Sequence, residues 1–585
     1  MSFHWFGAGS RDPGYHFGSL AVVAPILQRM DLAAILDRHL PADPQAEYAY
    51  GPLLTLLVAA RLDHPVALVN VADWAEKAGA ELVWNIPPDK LTDDRLGRAL
   101  DAFYYQRHSI RASLALHVAQ TFNIRLDRLH YDPTHICFHG GYAHSQPRAT
   151  PALDLQRPST NDPPAHITFG HAMANTKMVH AGLCVAVDEH GAVPLLGHVT
   201  DGNHNGHTAI AEQFELLQEQ LPPGRRMLVS DRGTFSAGHV ARCHREDVTV
   251  LCSAPWDDYR ALYDEHREQL QWQRASYLSL EQQRRRSCAS ALPQEHYQLA
   301  VVRHQLVDPD TAATIPCRVI FVYSTADAKV CQAARTKAVA KICNGLETLA
   351  QSVAAGRRNT DLTAVTRRVS KWFGRRRAAA YFRWQLQPLT AEEQAALPPP
   401  QRGCRRPTHR FVFHFDAAAA ALDSRYDGLS VLVTTAPRTE SADELFSAFK
   451  QQNDVELAHH QWKTPLAVHP VFLKHPRRVE ALVHLLMIAL MAYYLIQRQY
   501  RQQVGEDAPA AARRTTTETI LRAFQGYTLQ IEQQPLGRVV HATTLTQRQR
   551  EMLQRLSVPT PAQMLSRKLP HSPPSGQQRA SPLQL

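Results

Sequence analysis

The stretch that decides the fold is an apolar run that ends in an acid, Leu126-Asp127-Arg128-Leu129-His130-Tyr131-Asp132-Pro133-Thr134. Residues 126–131 read as a β-strand, and a second run, residues 226–230, ends in Asp231 in the same way. A third acid, Glu456, lies in a helical pattern far along the chain. If the two strands are neighbours and the helix packs beside them, the three carboxylates form one cluster.

The pattern around this stretch divides the chain into parts of different character. Helical spacing of apolar residues precedes it, strands alternate with helices around it, and a mixed pattern interrupts that alternation before the third acid. The predicted parts are a helical N-terminal domain (1–122), the first part of the core (123–253), an inserted domain (254–440), the second part of the core with the third acid (441–500), a helical C-terminal part (501–569) and a disordered tail (570–585). The predicted fold class is therefore α/β with an insertion domain and helical ends.

Composition narrows the class of protein. The chain has 585 residues and a formal net charge of +10, which favours an anionic partner without naming it. Its nine cysteines are scattered and never spaced as C-x-x-C, which indicates a reducing compartment and argues against a zinc ribbon. The longest apolar run, residues 481–496, is shorter than the roughly 20 residues that span a bilayer. We expect a cytoplasmic protein with no membrane partner, and this run to be a buried core helix.

A cluster of acids suits phosphodiester chemistry because it holds divalent cations. Mg2+ prefers oxygen ligands, and a pair of such ions can activate a nucleophile on one side of a phosphate and stabilise the leaving oxygen on the other. In the helix predicted from about Ala442 to Lys463, the residues Gln452, Glu456 and Lys463 share one face with His459 or His460. Taken singly, each acid could equally be a helix cap or a solvated partner of a lysine.

Together these motifs resemble the bacterial insertion-sequence transposases that have an Asp-Asp-Glu (DDE) site on a ribonuclease-H-like core. The resemblance runs from about Phe17 to Ile496 and includes Asp132 with Thr134, Pro194-Leu195-Leu196-Gly197, and Asp231-Arg232-Gly233. The third motif of that family has Tyr, Arg, Glu and Lys where this chain has Phe449, Gln452, Glu456 and Lys463. The Glu and Lys match, whereas the Tyr and Arg are replaced.

The resemblance implies a DNA transposase that cleaves at the ends of an insertion sequence and joins the freed 3′-OH ends to target DNA. Asp132, Asp231 and Glu456 would be the catalytic acids and the ligands of Mg2+, for which Mn2+ can substitute. Phe449, Gln452 and Lys463 would contact DNA, and the N-terminal domain would take part in recognising the ends. The implied partner is double-stranded DNA bound by a homodimer.

Basic residues alternate with aromatic ones between Arg367 and Trp384, which suggests a further contact with DNA. A solvated basic face over an aromatic core explains the same pattern. The residues predicted to bind DNA here are Trp372, Arg375, Arg376 and Arg377.

Two other functions stay open. The replacement of Arg by Gln452, together with Pro133, motivates a DNA-binding protein derived from a transposase and impaired in catalysis. The third is an unrelated metal-dependent nuclease that is indifferent to end sequences. The acid Asp201, in a Gly- and Asn-rich run, is more typical of a turn than of a metal site.

Overall fold

The structure is a computed structural model, and it describes residues 3–6, 14–41, 46–142, 145–147, 163–170, 176–188, 190–203, 226–279, 282, 295–357, 361–374, 377–400, 402–466, 473–505, 508–534 and 537–568. By its contacts the chain divides into two units. The first comprises Met1–Cys252, Leu306–Ile315 and Ala448–Leu585, and the second comprises Ser253–Gln305 and Pro316–Ser447. From the sequence the insertion was expected at residues 254–440. The predicted helix near residues 208–220 and the predicted tail, residues 570–585, lie outside the described residues.

The strands are, in chain order, β1 (Phe3–Phe6), β2 (Arg128–Phe138), β3 (Thr168–Phe169), β4 (Lys177–Asp188), β5 (Gly191–Asp201), β6 (Arg226–Ser230), β7 (Val248–Ala254), β8 (Gln273–Arg274), β9 (Tyr297–Val307), β10 (Thr314–Ser324), β11 (Phe382–Pro388), β12 (His409–Phe415), β13 (Leu429–Thr434), β14 (Leu529–Gln534) and β15 (Gly537–Thr543). The helices are α1 (Leu20–Arg29), α2 (Leu32–His39), α3 (Tyr50–Asp63), α4 (Val71–Ala78), α5 (Glu81–Trp84), α6 (Asp93–Thr121), α7 (Ala237–Arg245), α8 (Trp256–His266), α9 (Thr325–Ala354), α10 (Leu362–Phe373), α11 (Ala391–Ala396), α12 (Ala417–Ser424), α13 (Ala442–Lys450), α14 (Gln452–Lys463), α15 (Pro476–Gln502), α16 (Ala510–Arg513), α17 (Thr517–Arg522), α18 (Gln547–Arg555) and α19 (Pro561–Lys568).

A mixed sheet forms the centre of the first unit. Strands β5, β4 and β2 are antiparallel neighbours in that order. Strand β6 then pairs parallel with β2, and β7 pairs parallel with β6. Both parallel strands are almost continuously buried, as strands covered on two faces are. Three antiparallel strands followed by two parallel ones agree with the ribonuclease-H-like core implied by the resemblance, and the predicted α/β class is confirmed.

A buried polar network lies between helices α6 and α15 and strand β5. The Arg107 Nε is 3.0 Å from Glu480 Oε1, and both side chains are at most 5% exposed. The Arg111 guanidinium donates to the Gly197 carbonyl of β5 at 2.8 Å, and one of its nitrogens lies 3.3 Å from His484 Nδ1. Burial, with help from neighbouring cations and histidines, holds the pKa of His484 well below its usual value, so the ring is neutral in the folded chain. Buried charges must be paired and hydrogen-bonded, and this network fixes both helices to the sheet.

Helix α15 contains the long apolar run, and it is buried as predicted. By length and composition alone it could cross a membrane, but its most apolar stretch is entirely covered by the rest of the chain. Among the described residues, α3 and Leu68–Ala78 pass the same test only if they are joined across a bend of 93°. A core helix of a large protein explains α15 equally well.

The C-terminal part contains helices, as predicted, and also a β-hairpin that the sequence did not indicate. Strands β14 and β15 pair antiparallel, and β1 from the start of the chain pairs parallel with β15. The alternation of apolar and polar residues by which strands are recognised covers only Leu529 to Glu532, and neither Gln533 and Gln534 nor the second strand continues it.

The second unit has a sheet in the order β13-β10-β9-β8 and, beyond it, a small module. In that module, helices α9 and α10 cover an antiparallel β-ribbon of β11 and β12, and Ile342, Leu346, Val365, Phe382 and Phe411 form the centre of its core. A β-ribbon alone is barely stable in water, so these helices are what keeps it folded.

Two predicted boundaries were wrong. Strand β2 was expected to end at Tyr131, but it continues through Pro133 to Phe138 by pairing with β4. Its parallel neighbour β6 has ended by then, so the proline lies at an edge position, where it is tolerated. The helix expected from Ala442 to Lys463 is broken at Gln451, whose N–H bonds to the carbonyl of Ala448 three residues back instead of four.

Candidate active site at the end of β6

Two acids occupy neighbouring positions where β6 ends. In the parallel ladder Tyr131 pairs with Ser230, so the next residues on the two strands are Asp132 and Asp231. Adjacent strands lie about 4.8 Å apart, and residues at the same register point to the same face. The Asp132 side chain is partly buried, whereas Asp231 is exposed and accepts the N–H of Arg232 at 2.5 Å. Fold and register therefore bring together two acids that are 99 residues apart in sequence.

Helix α14 lies along β2 and is held there by side-chain contacts. His130 Nδ1 is 2.9 Å from Gln452 Oε1, and Gln452 Nε2 donates to the Tyr131 carbonyl at 3.0 Å. Lys463 Nζ donates to Thr134 Oγ1 at 2.6 Å at the other end of the helix. His130 and Thr134 lie on one face of β2 because side chains alternate along a strand, and Gln452 and Lys463 lie on one stripe of the helix.

A third contact lies between these two and involves one of the acids. His459 Nε2 is 3.3 Å from Asp132 Oδ2, and the His459 side chain is only 8% exposed. Such a contact restrains the carboxylate and turns one of its oxygens towards the helix. The sequence placed His459 or His460 on this helix face but could not predict the contact with Asp132, because a histidine on an ordinary helix face carries no signal of its partner.

Glu456 belongs to the same helix stripe, between Gln452 and His459. Glu456 lies four residues after Gln452 and three before His459, so its Cβ is on the side of α14 that faces β2. Its side chain is exposed. The backbone thus carries the third acid to the strand that bears Asp132.

The donor set suits Mg2+, although the side chains are not gathered as ligands of one ion. Within the described ranges, no group of three or more His, Cys, Asp or Glu side chains is placed to hold a metal ion. Mg2+ keeps several waters and is commonly bound through one or two carboxylates. Asp132 and Asp231, at neighbouring register positions, supply carboxylates of that chemical kind.

Lys463 is the cation of the site. Burial lowers the pKa of its ammonium, while the nearby Cys137 and Asp132 raise it. The ammonium donates to Thr134, which is two residues after Asp132 on the same face of β2. A cation at this position can hold a phosphate that approaches the acids.

Several residues predicted to bind DNA are occupied by the protein itself. Gln452 is 8% exposed and uses both ends of its amide on β2. Phe449 is half-buried at the end of α13. Trp372 is half-buried and packs so closely on Gly345 that a Cβ there would lie 2.6 Å from the indole. The contacts of these residues with DNA stay predictions. Arg377 is exposed, 3.1 Å from Asp257. Arg375 and Arg376 lie outside the described residues.

Asp201 has the role of a turn residue. Its carboxylate accepts the N–H of His166 at 2.8 Å, which ties the end of β5 to the segment before β3. This agrees with the turn interpretation of the Gly- and Asn-rich run.

Comparisons with known proteins add two findings. A domain of unknown function, DUF4277, matches residues 15–116, which hold helices α1 to α5 and most of α6. No curated protein matches the chain. Among solved structures the chain is similar to one described as "Mos1 transposase paired-end complex with left transposon end", with 12% identity, a TM-score of 0.13, and coverage of 36% of this chain and 60% of that one. The chain thus spans less than two thirds of that transposase chain, and at so low a TM-score the likeness is a distant one over part of the fold.

Proposed function

We propose that the chain is a metal-dependent DNA transposase that cleaves at insertion-sequence ends and joins the 3′-OH ends to target DNA. The observation that carries the proposal is the register of β2 and β6, which sets Asp132 beside Asp231 under a helix that bears Glu456. Its partners would be double-stranded DNA and a second copy of the chain, and its compartment the bacterial cytoplasm.

Each side chain of the site has a role in this proposal. Asp132, Asp231 and Glu456 would hold Mg2+ or Mn2+, which when bound supplies an activated nucleophile and stabilises the leaving oxygen. His459 restrains the Asp132 carboxylate from the helix side. Lys463, held on Thr134, binds a phosphate of the DNA next to the acids. The exposed Asp231 and Glu456 face solvent, where the backbone of a duplex can reach them.

The test is nicking of a supercoiled plasmid that carries the nucleotide sequences flanking the gene. Asp231→Asn keeps the shape of the side chain and removes its charge, so we expect nicking in Mg2+ to be lost while binding to the same DNA is kept. The matched control is Asp127→Asn. Asp127 is exposed just before β2, and in the described part of the chain its ion pair is with the nearby, exposed Arg125. An Asp231→Asn protein that still nicks would contradict the assignment.

A second candidate is a DNA-binding protein that has lost catalysis. The buried amide of Gln452 favours it, because the family's arginine at this position is the residue implied to contact DNA near the cleaved bond. This candidate predicts that the unaltered chain binds the flanking sequences with a steep salt dependence and nicks them in neither Mg2+ nor Mn2+.

A further inference from the structure

The β-ribbon of the second unit presents one face of polar and basic side chains to solvent. Strands β11 and β12 pair in register, with Arg383 opposite His414, Gln385 opposite Val412 and Gln387 opposite Arg410. All six of these side chains are exposed. Gln387 Nε2 donates to Gln385 Oε1 at 3.3 Å, so the two amides lie side by side on this face.

The aromatic residues of the ribbon fix which face is outward. Phe382 pairs with Phe415, Trp384 with Phe413, and Leu386 with Phe411, and all of them belong to or pack against the core with α9 and α10. A slip of one residue would exchange the two faces and expose these rings. The aromatic side chains therefore pack in the core of the module, and the polar face of the ribbon is the one exposed to a ligand.

The charge of this region identifies a polyanion as the partner. Residues 362–415 contain eleven Lys and Arg and two Glu, a net charge of +9, whereas the whole chain has a net charge of +10. On the ribbon face, Arg410 lies 3.4 Å from Glu393, but both side chains are well exposed and such pairs are weak. No Asp or Glu belongs to either strand of the ribbon.

The residue types on the face are those that recognise base edges. Arg forms two hydrogen bonds with guanine and Gln forms two with adenine in the major groove, and a methyl of thymine accepts an apolar neighbour. The groove is about 12 Å wide and admits a two-stranded β-ribbon. Seven residues at about 3.3 Å each give a ribbon of roughly 20 Å, the length of about six base pairs.

We propose that the outer face of the β11–β12 ribbon enters the major groove of duplex DNA and reads its sequence. Gln385 contacts an adenine at the centre and Gln387 an adenine towards the end that bears Arg410, while Arg383 and Arg410, at diagonally opposite ends, contact guanines or phosphates. The proposal rests on the proposed function in taking DNA as the partner, and it adds a site for sequence recognition that is separate from the acids.

The test is selection of bound duplexes from a random-sequence DNA library by the full-length chain. Gln385→Ala with Gln387→Ala leaves the charge unchanged, so we expect the variant to lose base preference at the positions of the motif that the two amides contact. Its affinity for the motif selected by the unaltered chain should fall about 5- to 100-fold, and its affinity for unrelated duplexes should stay the same.

The matched control removes charge from the neighbouring helix and leaves the ribbon unaltered. Arg367→Ala with Lys371→Ala, both exposed on α10, which covers the other face of the ribbon, should select the same motif with an unchanged ratio of affinities for the motif and for unrelated duplexes. All four positions are exposed, and unchanged thermal unfolding confirms that the variants fold.

Three results would overturn the inference. They are the same motif selected by the amide variant, no motif selected by the unaltered chain, and tighter binding to RNA of the same sequence, whose major groove is too narrow for a ribbon. Asp231→Asn separates this site from the catalytic proposal, because it should select the unchanged motif. If the unaltered chain selects a ribbon-dependent motif and never nicks, the proposed catalysis fails and the ribbon inference stands.

Discussion

Replacing Gln452 by Met tests whether this residue binds DNA or holds the active-site helix. Met keeps the unbranched shape and length of the side chain and removes the amide. In the structure that amide receives a hydrogen bond from His130 and donates one to the Tyr131 carbonyl, and all three groups are buried. The substitution therefore removes the acceptor of the His130 ring and one hydrogen bond to the Tyr131 carbonyl.

The magnitude follows from those two groups. A buried polar group that loses its partner costs roughly 1 to 3 kcal/mol and a lost hydrogen bond roughly 0.5 to 1.5 kcal/mol, so the contact between α14 and β2 should weaken by about 1.5 to 4.5 kcal/mol. A change of about 1.4 kcal/mol is a factor of ten in an equilibrium constant. Amides of α14 that exchange through separation of the helix from the strand should exchange at least about tenfold faster.

Hydrogen exchange followed by mass spectrometry of peptides from α14 and β2 measures this directly. The control is Gln451→Met, because Gln451 is only half-buried and, within the described structure, its side chain makes one hydrogen bond, accepted from Arg128 at 3.2 Å, so exchange should change little. Unchanged exchange in Gln452→Met, together with weaker DNA binding, would refute the structural role and restore the contact with DNA.

Two further predictions concern the buried network behind the sheet. Glu480→Gln leaves the Arg107 charge buried without a counter-ion and should lower the free energy of unfolding by about 3 to 5 kcal/mol, measured from the urea midpoint, whereas Glu518→Gln in an exposed pair should cost less than about 1 kcal/mol; equal effects would contradict the argument. Burial lowers the pKa of His484, so below about pH 6.5 the unfolded chain binds a proton at this ring that the folded chain does not bind. The free energy of unfolding should therefore fall as the pH drops below about 6.5. In His484→Gln the loss of thermal midpoint between pH 7 and pH 5 should be smaller than in the unaltered chain, and an identical loss would show that this ring does not contribute.

The sequence was most informative where strands are buried on both faces. Arg226–Ser230 was predicted to the residue, because a short apolar run bounded by polar residues leaves little choice of limits. The extension of β2 to Phe138 was missed because its pairing with β4 is a long-range contact, and proline is normally a sign that a strand has ended. The break at Gln451 was missed because apolar spacing continues through it.

For the candidate site, the acids could be found from the sequence but their companions could not. Asp132 and Asp231 follow strands, and the register of those strands settles their proximity. The contacts of His459 and Thr134 become visible only when α14 is laid on β2, since nothing in the sequence says which strand a helix will cover. The packing of the Trp372 ring against Gly345 of another helix could not be predicted for a similar reason.

Strand β2 is the common reference for all three acids. Its ladder with β6 sets the position of Asp231, and its side-chain contacts with α14 set the position of Glu456, while Asp132 belongs to β2 itself. The two sets of bonds use different groups of β2 except at Tyr131, which belongs to the ladder with β6 and whose carbonyl also accepts a hydrogen bond from Gln452. A change that loosens α14 should therefore displace Glu456 and leave the two aspartates in register. Neither set of bonds involves residues 253–305 and 316–447, which form a separate unit. The chain can therefore carry that unit between the second and third acids.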